Sequence, residues 1–175
     1  ALLHVDDSIP DEAQKLIQHL DSSLRSAEDL ISDLLDISRL ENGKFTPTIA
    51  PFPLTNLFDT LGAEFKALAQ EQGLSFRVRG SQLLIASDAK LLRRVLQNFL
   101  ANAIRYTRSG GVLLGVRRQG DRLLIGVHDS GPGIAPEQQA VVFEEFHRLD
   151  RSNGQGLGLG LTIAHRIAGL LHAPL

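Results

Sequence analysis

Two asparagines and an arginine recur at helical spacing near the middle of the chain. Asn98, Asn102 and Arg105 are four and three residues apart, which places their side chains on one side of an α-helix. A carboxamide oxygen can ligate a hard cation such as Mg²⁺, and a guanidinium can pair with a phosphate. Two asparagines that simply face water are the plainer alternative, and this group alone does not exclude it.

A second group follows an apolar stretch that ends near residue 128. It reads Asp129-Ser130-Gly131-Pro132-Gly133. A carboxylate there can accept a hydrogen bond from an exocyclic amine such as that of adenine, and the glycines let the backbone approach a planar ring without an intervening Cβ. The same residue types build ordinary turns, so in isolation this group indicates a turn.

A third group has glycine at every second position before a helical stretch. Gly154, Gly156, Gly158 and Gly160 lead through Thr162 into that stretch, and unobstructed N–H groups at a helix N-terminus form an anion site. No clear strand precedes the glycines and no Gly-Lys-Ser/Thr follows, so neither dinucleotide-binding nor P-loop motifs match. A flexible hinge is the alternative. Because such a run is costly in backbone entropy, we favour phosphate binding.

The elements that position these groups follow from apolar periodicity. A helix is predicted from about Pro10 to Glu41, and its apolar residues have heptad spacing: Leu20, Leu24, Ala27, Ile31 and Leu34. This spacing is compatible either with a helix packed on its own domain or with an intermolecular bundle.

After Gly43 the pattern changes to shorter elements. We predict an extended crossover over 44–53, a helix with Leu54 to Leu68 on its apolar face that stops at Gly73, and a helix capped by Asp88 that reaches about Arg105. Strands are predicted around Leu74–Val78, Leu83–Ala86, Val112–Arg118 and Arg122–His128, and a short helix near Glu137–Phe143. The fold class is therefore α/β (α+β): a two-layer sandwich with a mixed, mostly antiparallel sheet covered by helices on one face.

Composition restricts the partners. Eighteen basic against twenty acidic residues give a net charge of −2, which argues against a nucleic-acid or anionic-membrane partner. The absence of cysteine excludes disulfides and thiolate metal sites. No apolar run approaches the roughly 20 residues that span a bilayer, and the N-terminus has no signal-peptide pattern. We expect an excised fragment of a protein domain in the cytoplasm, with membrane anchoring of the full-length protein left open.

The three groups, in this order, resemble the ATP site of the superfamily shared by gyrase, MutL, the large heat-shock chaperones and histidine kinases. The resemblance to sensor histidine kinases spans nearly the whole chain. Its motifs are the N box in 97–107, the G1 box in Asp129–Gly133, the F box in 142–146 and the G2 box in 154–159. Residues 34–43 resemble the end of the dimerisation hairpin.

The resemblance implies a Bergerat-type ATP-binding fold and a set of nucleotide contacts. Asn102 would ligate Mg²⁺ with Asn98 in the same shell, Asp129 would bind the adenine amine, and a lid would run from about Phe146 to Gly154. The residues expected to bind ATP are Asn98, Asn102, Arg105, Tyr106, Asp129, Gly131, Gly133, Ile134, Phe146, Gly154, Gly156, Leu157, Gly158, Leu159 and Thr162.

The resemblance also implies a two-component signalling role. Residues 1–43 would be the incomplete dimerisation and phosphoacceptor hairpin, and 44–175 the catalytic domain without its last strands. The expected activity is transfer of the γ-phosphoryl of Mg-ATP to a histidine, for relay to a response-regulator aspartate, in a homodimer. His4 is followed by Val5 and Pro10 rather than by an acidic residue in a helix, so we expect the acceptor histidine upstream of Ala1 and no self-phosphorylation by this fragment alone.

Two other functions remain open. One is another ATPase or a serine kinase of the same superfamily, and the other is a non-enzymatic module that binds nucleotide and pairs with another kinase. Asn98 argues against the first, because the hydrolysing branches of the superfamily carry a glutamate base at that position.

Overall fold

A computed structural model describes residues 46–145, 147 and 158–175, together with six residues nearer the N-terminus. These six are Ala13, Leu16, Ile17, Leu20, Leu24 and Ile31, and all are helical, as predicted. The five larger apolar side chains among them are more than half exposed. The rest of the predicted N-terminal helix, His4 and the lid lie outside the described residues.

Three helices and five strands make up the regular structure that follows. The helices are α1 (Leu54–Glu71), α2 (Ala89–Tyr106) and α3 (Gly160–Leu170). The strands are β1 (Ala50–Pro53), β2 (Ser75–Arg79), β3 (Leu84–Ser87), β4 (Gly111–Gln119) and β5 (Arg122–Asp129). Each predicted strand after Gly43 is present within a residue or two of its expected bounds.

The strands form two sheets. β1 pairs antiparallel with β3, and the three-stranded sheet has the order β2-β4-β5. In it β2 is parallel and β5 antiparallel to β4. The β4–β5 hairpin turns through Gly120 at φ +60°, a left-handed conformation that glycine adopts without strain. The mixed sheet confirms the predicted fold class.

One core cluster joins α1 and α2 to the three-stranded sheet. Phe58, Leu61 and Leu100 have no exposed surface and pack with Leu114 of β4. Glu64 of α1 also accepts hydrogen bonds from Arg93 and Gln97 of α2 (2.9 and 3.0 Å). The two helices therefore form a layer on the sheet. Apolar packing and the surface hydrogen bonds of Glu64 hold the helices together.

A second core cluster joins α2 to α3. Val95 of α2 packs there with Leu159, Ile163 and Ile167. Because α2 contributes to both clusters, it lies between the sheet layer and the last helix. This central place makes it the element on which the candidate site is built.

Two sequence predictions are wrong in detail. Leu68 is 44% exposed and Ala69 is buried in its place, because α1 turns its last apolar position away from the core. The single short helix predicted near Glu137–Phe143 is instead two 3-10 turns, Pro136–Gln138 and Val141–Phe143. In the described parts of the chain, no helix has both the length and the hydrophobicity needed to cross a bilayer.

Candidate functional site

Asp88 fixes the start of α2. Its Oδ1 accepts hydrogen bonds from the N–H groups of Lys90 (3.0 Å) and Leu91 (3.1 Å), and its Oδ2 accepts one from Thr48 (2.8 Å). Burial raises the pKa of this carboxyl, but the backbone hydrogen bonds from Leu91, Thr48 and Lys90 outweigh burial and hold the pKa below its ordinary value of 3.8. The predicted cap is confirmed, and it fixes the residue at which the helix that carries the asparagines begins.

Asn98 lies against the beginning of α3. A Cβ atom placed on Gly160 would lie 3.0 Å from Asn98 Oδ1, so the glycine leaves room for the carboxamide. Asn98 and Asn102 are both half-buried, whereas Arg105 is exposed. The structure therefore brings the first asparagine to the end of the glycine-rich segment, and it places the second one turn further along the same helix.

The loop after β5 packs on the other end of α2. Gly131 N–H donates to Asp129 Oδ1 (2.8 Å). A Cβ on Gly131 would lie 2.8 Å from that oxygen, 3.2 Å from the carbonyl oxygen of Tyr106 and 3.3 Å from Thr107 Oγ1. Only glycine fits at this contact without displacing backbone.

Ser130 ties the same loop to β4. Its hydroxyl accepts from Gly111 N–H (2.9 Å) and donates to the Ser109 carbonyl (2.9 Å). A Cβ on Gly110 would lie 2.2 Å from Ser130 Oγ, and Gly110 has a φ of +97°. Sequence reasoning missed this anchor, although the Gly110-Gly111 pair before β4 is a signal for close backbone approach.

Gly158 and Leu159 lead into α3. Gly158 has a φ of +76°, and α3 has no side-chain cap at its start, so its first N–H groups have no acceptor within the helix. Leu159 as a whole residue is only 1% exposed and packs in the cluster between α2 and α3. Gly133 (φ +72°) and the exposed Ile134 border open space beyond the Asp129 loop.

Three buried polar atoms near these groups have no hydrogen-bond partner among the residues that the structure describes. They are Asn98 Nδ2, Thr107 Oγ1 and Thr162 Oγ1. A buried polar group without a partner costs about 1–3 kcal/mol, so such groups commonly face water or a ligand. The carboxamide and hydroxyl oxygens of the site are hard donors of the kind that suits Mg²⁺.

The segment before the predicted lid is attached to α3. Glu145 pairs with Arg166, and the rings of Phe143 and His165 lie 5.0 Å apart. The remaining predicted contacts, Phe146, Gly154, Gly156 and Leu157, lie outside the described residues. Sequence reasoning did not predict the contacts of Gly160 with Asn98 and of Thr107 with Gly131, because they join distant parts of the chain.

Comparison with known proteins gives consistent matches. Residues 87–174 match the model of the family described as histidine kinase-, DNA gyrase B- and HSP90-like ATPase. The chain is 37% identical over 144 residues to the circadian input-output histidine kinase CikA of Synechococcus elongatus, covering 77% of this chain and 19% of CikA. It is 36% identical over 160 residues to the sensor histidine kinase CusS of Escherichia coli K12, covering 87% of this chain and 32% of CusS.

A solved structure has the same architecture. Full-length ShkA in complex with AMPPNP superposes with a TM-score of 0.78 at 29% identity, covering 94% of this chain and 35% of ShkA. The chain thus spans about a fifth to a third of the length of these relatives. It belongs to the histidine kinase-, DNA gyrase B- and HSP90-like ATPase family, as an ATP-binding catalytic domain of the sensor histidine kinase type.

Proposed function

We propose that this chain binds Mg-ATP along α2, between the Asp129 loop and the start of α3. The observation that carries the proposal is that α2 touches both loops. Asn98 meets Gly160 at the middle of the helix, and the Tyr106 carbonyl and Thr107 hydroxyl meet Gly131 at its C-terminal end. A base held by one loop and phosphates held by the other would therefore share a single rigid helix.

Each residue group has a distinct role in this proposal. Asp129 accepts the adenine amine, and Gly131 and Gly133 shape the base pocket with Ile134 at its edge. Asn102 and Asn98 hold Mg²⁺, which neutralises charge on the phosphate oxygens when bound. Gly158, Leu159 and the start of α3 offer main-chain N–H groups to the phosphates, with Arg105 and Tyr106 nearby.

The phosphoryl group then passes to a protein histidine rather than to water. A carboxamide at position 98 cannot take a proton from an attacking water, as a carboxylate base can. Positioning and charge stabilisation are then the chain's contribution to transfer. The imidazole nitrogen forms the new bond to phosphorus while the bond from the γ-phosphorus to the bridging oxygen breaks and ADP leaves.

We further propose that the intact protein is a two-component sensor kinase. Its residues 1–43 would form the C-terminal part of a dimerisation hairpin in a homodimer, and 44–175 would form the catalytic domain. A response-regulator aspartate would receive the phosphoryl group. The names of CikA and CusS as histidine kinases support this proposal. So do the exposed apolar side chains Leu16, Leu20, Leu24 and Ile31, which suit a helical bundle.

Replacement of Asn102 tests the ATP site. We expect Asn102→Ala to lower Mg-ATP affinity by about tenfold or more, the usual effect of weakening a metal site, without changing thermal stability. Isothermal calorimetry with and without Mg²⁺ measures the effect. Asn56→Ala, at an exposed asparagine of α1, is the matched control. Unchanged Mg-ATP affinity of Asn102→Ala would show that the metal assignment is wrong.

A further inference from the structure

β2 lies at the edge of the described three-stranded sheet, and β4 pairs with it on one side. Ser75 N–H donates to the Gly110 carbonyl beside β4 (2.9 Å), so the main chain of Ser75, Arg77 and Arg79 points toward β4. Because main-chain direction alternates along a strand, the N–H and C=O groups of Phe76 and Val78 point to the other edge. Within the described chain, no strand pairs with β2 on that side.

Helix α1 runs beside this free edge and leaves a hollow between them. The hollow has a volume of about 320 Å³ and is lined by Phe58, Asp59, Gly62, Lys66, Phe76 and Val78. A Cβ on Gly62 would lie 3.2 Å from Val78 Cγ2, so the glycine allows α1 and β2 to approach closely beside the hollow. The floor is aromatic and aliphatic, and Val78 is 37% exposed.

The opposite face of β2 is basic. Arg77 and Arg79 are exposed and alternate with Phe76 and Val78. The register sets Arg77 beside Leu113 and Arg79 beside Gly115 of β4, so neither arginine has an acidic cross-strand neighbour there.

We propose that the β2 edge binds an extended segment of a partner protein in which acidic and apolar side chains alternate. The segment adds a strand to the sheet by hydrogen bonding to Phe76 and Val78. Its apolar side chains enter the hollow beneath α1, while its acidic ones lie on the other face beside Arg77 and Arg79. This inference goes beyond the proposed ATP site, although Arg77 also lines a hollow that reaches Asp129 and Ser130.

The arginines also select against the simplest competing occupant. If two β2 strands from separate copies paired edge to edge, their arginines would lie on a shared face, and like charges across strands are destabilising. Charged side chains commonly protect exposed edges in this way. An acidic segment is instead attracted by the two arginines. The same positive charges therefore disfavour pairing with a second copy and favour binding of an acidic partner.

The first experiment uses two peptides and the full 175-residue chain. One probe is an acetylated heptapeptide of alternating glutamate and valine, and the other has lysine in place of glutamate. We expect the glutamate peptide to shift the NMR amide signals of Phe76 and Val78 and to slow their hydrogen exchange at roughly millimolar or lower concentration. The lysine peptide should leave these signals unchanged.

Charge reversal tests the arginines directly. Arg77→Glu combined with Arg79→Glu should lower the affinity for the glutamate peptide by roughly tenfold, since each cross-strand ion pair contributes modestly. The same double variant should bind the lysine peptide. Arg118→Glu combined with Arg122→Glu, at the far hairpin, is the matched control and should change neither affinity.

Val78→Pro should abolish binding while thermal unfolding stays cooperative, because it removes an N–H that the β4 ladder does not use.

Three results would overturn the proposal. One is the absence of shifts at Phe76 and Val78 with the glutamate peptide at millimolar concentration, which would leave the arginines as edge protection only. Another is equal binding of both peptides. The third is a set of shifts that depends on protein concentration without peptide, which would identify a second copy as the occupant.

Discussion

At the scale of single residues, the site depends on where side chains are absent. Gly131 brings the Asp129 loop within contact of Tyr106 and Thr107, and Gly160 makes room for the Asn98 carboxamide. Asp129 already accepts one hydrogen bond from Gly131 N–H through Oδ1. Its second oxygen is therefore the one we assign to the adenine amine.

Replacement of Asp129 by asparagine should change base preference. The new side chain can still accept from Gly131 N–H, but its amide then donates where the carboxylate accepted. We expect ATP affinity to fall by roughly tenfold to a hundredfold and the preference for ATP over GTP to narrow, because guanine presents a carbonyl at that position. Displacement of a fluorescent ATP analogue by both nucleotides measures this. Asp121→Asn, at an exposed turn, is the control, and an unchanged ATP-to-GTP ratio in Asp129→Asn would contradict the assignment.

The residue types of the site could be predicted from sequence, but several of their contacts could not. Asn98, Asn102 and Asp129 stand out because asparagine is unfavourable inside helices and glycine-rich loops are costly. The contact of Asn98 with Gly160 joins residues 62 positions apart, and it arises from the packing of α3 on α2. Periodicity carries no information about such a pairing. The contacts of Thr107 and Ser130 were missed for the same reason.

At the scale of elements, α2 is positioned by its cap. Asp88 accepts hydrogen bonds from two N–H groups of the first turn and from Thr48. Helix bounds and strands were predictable because capping residues and apolar spacing are local signals. The two 3-10 turns could not be predicted from sequence, because Pro136 and the brief apolar run are compatible both with one short helix and with two separate turns.

Removal of the cap should destabilise the domain. We expect Asp88→Ala to lower the free energy of unfolding by about 0.5–2 kcal/mol, the usual range for a lost N-cap, as measured by urea unfolding. Asp59→Ala, an exposed acid of α1, should have little effect. The pKa of Asp88 is lowered in the folded state, so the stability contributed by its charge is present above the ordinary value of 3.8 and is lost as pH falls through the folded pKa.

The pH dependence separates charge from capping geometry. Asp88→Asn keeps a good capping acceptor but has no charge to titrate. The stability difference between the parent chain and Asp88→Asn should therefore shrink as pH falls below about 4. A difference that stays constant from neutral pH to pH 3 would contradict a charge-stabilised cap.

At the scale of the whole molecule, the described apolar residues near the N-terminus are left exposed. Leu16, Ile17, Leu20, Leu24 and Ile31 are each more than half exposed, which is unusual for a helix that packs on its own domain. Of the two sequence interpretations of the heptad rhythm, a bundle partner outside this chain suits these exposures better.

The 175-residue chain should bind ATP without labelling itself. We expect no acid-labile phosphohistidine after incubation with γ-labelled ATP and little phosphate release, because the acceptor is proposed to lie upstream of Ala1. A longer chain that includes that upstream helix should become labelled. The His4→Ala variant is the control: label on the short chain that disappears in His4→Ala would place the acceptor at His4 instead. Rapid phosphate release would favour an ATPase of the same family.

The hydrogen bond between Thr48 and Asp88 has a mechanical consequence. Thr48 lies in the segment that enters the domain just before β1, and Asp88 caps the helix that carries both asparagines. A force applied to the segment before β1 is therefore transmitted in part to the Asp88 carboxylate at the N-terminus of α2, and not to the sheet alone. Asp88 caps the helix through Oδ1 and accepts from Thr48 N–H through Oδ2, so one side chain both starts α2 and joins it to the incoming chain.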